Sequence, residues 1–358
     1  MKQEFKPGLF GIKHSNRDFT SSYSWGKNQF NSSFPAALLC YMGSKQIQPV
    51  YLTLNKDLSI QHSKITAEKL LGLPYNSENL FFSFEESFSP YSDLVIGQLA
   101  RADLVTRDIS TKNKDCLVAL EIKLTALPDN STCELDNEND FGCEIVVRPD
   151  TIVYIALAIA NIYSNKINSL QKLISPICSN IKEWEDAENI RPHMPKIIEA
   201  IDNILKINLS KQAPLMLQPI WKTQGKKSIL AENCFDVFVW SDFGITRLFI
   251  DQSRNKSGNF TRQERSVVWL IKMLYDFANV GKINPARVTS QLAYNTRNDK
   301  AFAASGKITN LYMASNELTN PRIIKHAVKE IILGGGQNYL SPERRLDAII
   351  LNSPNLFY

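Results

Sequence analysis

The chain has 358 residues, 44% hydrophobic and 22% charged, with a net charge of +5, long enough for a large core in two parts and ordinary for a soluble globular protein. No secretory signal fits the start, because Met1-Lys2-Gln3-Glu4-Phe5-Lys6 precedes no apolar segment, and the longest apolar run, residues 152–162, is too short to span a bilayer. Six cysteines without a C-x-x-C pair and four scattered histidines exclude a zinc site and read as the reduced thiols of a cytoplasmic protein.

Residues 1–60 mix aromatics with Ser and Asn and give no periodicity, so their role is left open. Residues 66–71 predict a short helix closed by Gly72 and Pro74, and residues 80–84 a strand. Glu85 and Glu86 follow, either as solvated charges, the favoured reading, or as an extra upstream acid for the site considered below. Residues 103–108 and 116–124 form two strand-like runs around a polar stretch, 109–115, that suits a hairpin loop. Residues 128–142 are rich in Asp, Asn and Glu and predict a loop or insertion. A strand at 144–148 is stopped by Pro149, after which Asp150 or Thr151 can cap a helix that is apolar nearly all round. Further helices are expected near 196–207, 261–279 and 321–333. Further strands are expected at 215–222, 234–240 and 245–250, the last two joined by a turn at Ser241-Asp242-Phe243-Gly244.

Charge divides unevenly. Residues 1–210 hold 21 Lys and Arg against 25 Asp and Glu, whereas residues 211–358 hold 20 against 11. A basic second part fits a polyanion partner or simply a solvated basic surface. The divisions that follow are an N-terminal segment, 1–60, a core, 61–210, and a basic region, 211–358.

The chemistry concentrates in the hairpin. Side chains alternate along a strand, so Glu121 and Lys123 share a face, while Val118, Leu120, Ile122 and Leu124 take the other. Folding the hairpin about its middle sets Asp103 opposite Glu121 or opposite Ile122. Only the first register puts both acids on one face, and we expect that register or a bulge that restores it. Two facing carboxylates repel unless a cation lies between them, and Mg²⁺ suits one or two carboxylates with water and phosphate oxygens. Lys123 would position the attacking water or stabilise developing charge. An exposed Glu-x-Lys pair on a surface hairpin explains the tripeptide alone. The apolar strand around it and an aspartate at hairpin distance favour the metal site. Asp93 is a second choice for Asp103, and Asp108 lies about 17 Å along the strand, too far to share the ion.

This arrangement resembles the PD-(D/E)xK nuclease superfamily, with Asp103 as the first acid, Glu121-Ile122-Lys123 as the second half-motif and Ala102 where the motif has proline. The string Glu121-Ile122-Lys123-Leu124-Thr125-Ala126-Leu127-Pro128-Asp129 is similar to that of the HindVP-like type II restriction endonucleases, as are Arg148-Pro149-Asp150-Thr151 and Leu340-Ser341-Pro342-Glu343-Arg344-Arg345-Leu346.

The resemblance implies an α/β, restriction-endonuclease-like core with a central mixed sheet flanked by helices, plus an α+β specificity region. It implies Asp103, Glu121 and Lys123 as catalytic residues, and Asp103, Glu121 and Ile122 as the positions that hold Mg²⁺. The activity implied is endonucleolytic hydrolysis of double-stranded DNA by a prokaryotic, cytoplasmic enzyme. The family is associated with palindromes of the type GRCGYC, and a palindrome implies a homodimer. Lys226, Lys227, Arg262, Arg265, Arg297 and Lys300 are candidate DNA contacts. No G-x-x-x-x-G-K-[ST] phosphate loop is present, so ATP is not expected as a cofactor. The rivals are a repair or mobile-element nuclease of the same superfamily, and a non-catalytic DNA-binding protein.

Overall fold

The computed structural model describes residues 11–17, 27–122, 125–127, 145–147, 149–224, 227–230, 237–254, 260–291 and 302–304. Strand β1 (His14–Ser15) is followed by helix α1 (Lys27–Ser44), strands β2 (Val50–Leu54) and β3 (Ile60–Lys64), helix α2 (Ala67–Leu71) and strand β4 (Leu80–Glu86). Strands β5 (Ala102–Asp108), β6 (Cys116–Ile122), β7 (Thr125–Leu127) and β8 (Ile145–Val147) lead into helices α3 (Pro149–Tyr163), α4 (Ile167–Cys178), α5 (Ala187–Ile190) and α6 (Met194–Ile207). The remainder comprises strands β9 (Pro214–Gln224), β10 (Lys227–Leu230) and β11 (Val237–Ser241), helices α7 (Asp242–Ser253), α8 (Arg262–Val280) and α9 (Pro285–Gln291), and strand β12 (Phe302–Ala304).

Ten of the strands form one mixed sheet in the order β1-β4-β5-β6-β9-β11-β2-β3, with β7 and β10 also paired to β9. The pairs β1/β4, β6/β9, β7/β9 and β2/β11 are parallel and the rest antiparallel. The chain is thus α/β, as expected. Its sheet takes strands from all three segments, 1–60, 61–210 and 211–358. One apolar core runs from Ile12 to Val288 among the described residues.

Local chemistry explains the ends of several elements. Thr66 caps α2 by accepting from the Lys69 N–H, and Gly72, at φ +80°, ends it in the left-handed region. Helix α8 opens with a reciprocal cap between Thr261 and Glu264 and ends at Gly281, at φ +77°. Helix α3 starts at Pro149, so Asp150 and Thr151 lie in its first turn rather than before it. Its buried face packs against α8, which also receives α4 and α7.

Residues 245–250 are helical, not a strand. Ser241 accepts from the Gly244 N–H at 2.8 Å and caps α7, so the supposed hairpin turn is a helix start. A Cβ on Gly244 would meet the Leu52 carbonyl oxygen at 2.7 Å, which shows how closely this helix start approaches β2. The run looked like a strand because Ile245, Leu248, Phe249 and Ile250 are all buried, leaving no polar face to reveal a helical period. The expected loop at 128–142 and helix at 321–333 lie outside the described residues.

Candidate active site

Strands β5 and β6 form the expected antiparallel hairpin. From its loop end the register begins Arg107↔Cys116, which continued unbroken would set Asp103 opposite Leu120. It shifts by one residue between Thr106 and Arg107, and beyond the shift runs Thr106↔Val118, Val105↔Ala119 and Leu104↔Leu120. The next step along that register is Asp103 opposite Glu121. A bulge therefore brings the two acids into line, with Leu117 as the extra residue on β6. Leu117 lies against Gly72, where a Cβ would come within 2.6 Å of the Leu117 Cβ. The glycine that ends α2 leaves room for the bulged residue.

Both carboxylates are held. The Asp103 Oδ2 accepts from the Ile122 N–H at 2.8 Å, so this acid reaches across to the strand that carries Glu121. Glu121 is only 3% exposed, and its Oε1 accepts from the Thr151 hydroxyl at 3.2 Å. Thr151 stands in the first turn of α3, whose N-terminal dipole favours an anion there. One turn on, Tyr154 donates to the Ala100 carbonyl at 2.7 Å and accepts from the Phe88 N–H at 3.3 Å, tying the same helix to the approach of β5. Burial, with Glu121 and Asp150 adding their negative charge, pushes the Tyr154 phenol up to about 12, so it stays protonated and able to donate.

These groups suit a hard cation. Asp103 and Glu121 offer carboxylate oxygens, and Ile122, with its apolar side chain buried, can offer only its carbonyl oxygen. Among the described residues no three His, Cys, Asp or Glu side chains gather in a metal-binding cluster.

Lys123 lies outside the described residues. On either side of it the chain keeps one register along β9, with Ile122↔Leu217 before and Thr125↔Ile220 after. Asp93 is exposed in a 3-10 turn rather than on a strand, and Asp108 caps the hairpin loop by accepting from Ser110. Glu85 and Glu86 are not simply solvated charges, since Glu85 pairs with Arg17 and Glu86 with Arg107.

The candidate DNA contacts fare unevenly. Arg265 is 1% exposed, with its guanidinium over the Trp269 ring, so it presents no charge to a duplex as it stands. The periodicity of α8 turns that residue inward, which a count of basic residues could not foresee. Lys227 opens β10 opposite Gln224 in the expected hairpin, and Arg262 is the first residue of α8. Lys226, Arg297 and Lys300 lie outside the described residues. Thr151 was singled out only as a possible cap and within the string Arg148-Pro149-Asp150-Thr151, and Arg17 not at all, because its position depends on pairing with a strand more than sixty residues away.

The family model described as HindVP restriction endonuclease matches residues 25–357. The type II restriction enzyme HgiDI of Herpetosiphon aurantiacus is 50% identical over 353 residues, 98% of this chain and 97% of that protein. The probable type II restriction enzyme HindVP of Haemophilus influenzae is 41% identical over 354 residues, covering 98% and 95%. No solved structure matches significantly. The chain belongs to the HindVP restriction endonuclease family.

Proposed function

We propose that the protein is a Mg²⁺-dependent type II restriction endonuclease of the PD-(D/E)xK kind, hydrolysing phosphodiester bonds in double-stranded DNA at a short palindrome of the GRCGYC type. The observation that carries this reading is the bulge that aligns Asp103 with Glu121 at the end of an otherwise apolar strand pair.

In this reading Asp103, Glu121 and the Ile122 carbonyl hold the cation. Bound there, Mg²⁺ supplies a Lewis acid for the phosphate and acidifies a water molecule. The Thr151 hydroxyl fixes the orientation of Glu121, and the Ile122 N–H fixes that of Asp103. The near-complete burial of Glu121 keeps bulk water from screening its charge. Lys123 orients the attacking water or meets the negative charge that develops as the P–O bond breaks.

A palindrome is read most simply by two copies related by a two-fold axis, so the working form is a homodimer. Lys226, Lys227, Arg262, Arg297 and Lys300 are the proposed DNA contacts. They supply mostly phosphate neutralisation, with base readout from a minority.

Digestion of plasmid DNA with and without Mg²⁺ tests the reading. Discrete fragments that vanish with EDTA support it, and the sequence at their ends identifies the site. Retarded but intact DNA in the presence of Mg²⁺ contradicts it.

A further inference from the structure

Strand β1 adds to the edge of β4 through His14↔Phe81 and Ser15↔Phe82. Asn16 then locks onto β4. Its amide donates to the Phe84 carbonyl at 3.0 Å, and its side-chain oxygen accepts from the Phe84 N–H at 2.9 Å. This fixes the next residue, Arg17, whose side chain is only 13% exposed. Its guanidinium lies over the Phe84 ring, 4.4 Å from the centroid, donates to the Ser33 hydroxyl on α1, and pairs with Glu85 at 3.2 Å.

Glu85 is no ordinary strand residue. It sits at φ +53°, a left-handed backbone that glutamate seldom adopts. The pairs Phe84↔Leu104 and Glu86↔Ala102 bracket it, so it lies level with Asp103 on the neighbouring strand. Asp103 is in turn level with Glu121. Three acids therefore occupy one row across β4, β5 and β6, and a largely buried arginine is delivered to the outer end of that row. Burial disfavours the Arg17 charge, and the negative charges of Glu85 and Asp103 favour it.

We propose that Arg17 is the resident counter-ion of this carboxylate row, opposing the incoming divalent cation and so setting how weakly the DNA-free protein binds it. This rests on the cation site proposed above. Arg17 touches no reacting atom in this account; it acts through Asp103 and Glu85. A row already part-neutralised holds a cation firmly only when phosphate oxygens add their own negative charge.

The test is Mn²⁺ titration of DNA-free protein by calorimetry, comparing wild type, Arg17→Gln, Arg17→Lys and Glu121→Ala, with circular dichroism to confirm folding. Arg17→Gln should bind Mn²⁺ about tenfold more tightly, because one positive charge that repels the ion is removed from the row. Arg17→Lys, which keeps the charge, should stay close to wild type. Unchanged or weaker binding by folded Arg17→Gln overturns the inference. If that happens while Glu121→Ala loses binding, the cation site survives and only the role of Arg17 falls. If Glu121→Ala binds as well as wild type, the site itself is wrong. Should Arg17→Gln not fold, phenylglyoxal labelling of Arg17 in the wild-type protein, read by mass spectrometry, decides. Labelling should rise as Mn²⁺ displaces the guanidinium, and constant labelling at saturating Mn²⁺ overturns the inference.

Discussion

The Asp103 carboxylate accepts a hydrogen bond from the Ile122 N–H, 2.8 Å away on the adjacent strand. That contact lies just past the last paired residues, Leu104 and Leu120, one residue on along β5 and two along β6. The first acid is thereby fixed to the backbone of the strand that carries the second. The proposed site is built on strand register, so it should respond to changes in register more than to changes in surface charge.

Deleting Leu117 should remove the bulge and join the two registers into one unbroken ladder, with Glu121 still in line with Asp103. We expect a folded protein that still cuts DNA. Leu117→Ala keeps the residue count, so it should keep the register and retain cleavage, while losing about 1–2 kcal/mol of stability because the side chain is only half-buried. Fragment assays beside urea unfolding test both variants. Loss of cutting by a folded deletion variant would show that alignment of the two acids is not enough to make the site.

Thr151→Val removes the hydroxyl that orients Glu121 at nearly constant volume. The lost hydrogen bond to a charged group is worth about 1.5–3 kcal/mol. We expect kcat to fall by about tenfold or more with little change in KM, and Thr151→Ser to recover most of it. A rise in KM at constant kcat would mean that Thr151 serves binding instead.

Asp242 offers a pH test of stability unconnected to cleavage. It is 1% exposed, and burial pushes its carboxyl from 3.8 up to about 7, although the Ala213 and Phe243 N–H groups both donate to its Oδ1. The other oxygen is buried without a partner among the described residues. A raised acid pKa means that the folded state favours the protonated form. The stabilisation is full below pH 3.8 and is lost as pH rises through about 7. Relative to Asp242→Asn, wild type should lose up to about 1.4 kcal/mol per pH unit within that window and level off above it. Parallel urea midpoints from pH 4.5 to 8 measure the difference, and two parallel curves would contradict the assignment.

The hairpin was legible in the sequence because its information is local. An apolar strand, a polar loop and an acid on each arm lie within about twenty residues, and face alternation leaves few registers to choose from. Even so, the loop-end register alone would have misaligned the acids. The bulge depends on Leu117 meeting Gly72, a contact between elements that no strand pattern encodes. Helix α7 was misread because burial on all sides removes the polar face that marks a helix. Helix α1 and strand β2 were missed in a stretch with no clear period, although every residue of β2 is buried. Arg17 could not be seen because its meaning comes from Phe84 and Glu85, far along the chain. Arg265 was overvalued because its charge is visible in the sequence and its inward orientation is not.

The most direct test of the central claim compares plasmid cleavage in Mg²⁺ by wild type, Asp103→Asn, Glu121→Ala and Lys123→Ala, with DNA binding followed by mobility shift. The account predicts discrete fragments from wild type, none from the three variants, and retarded DNA from all four. Undiminished cutting by Glu121→Ala or Asp103→Asn would contradict it.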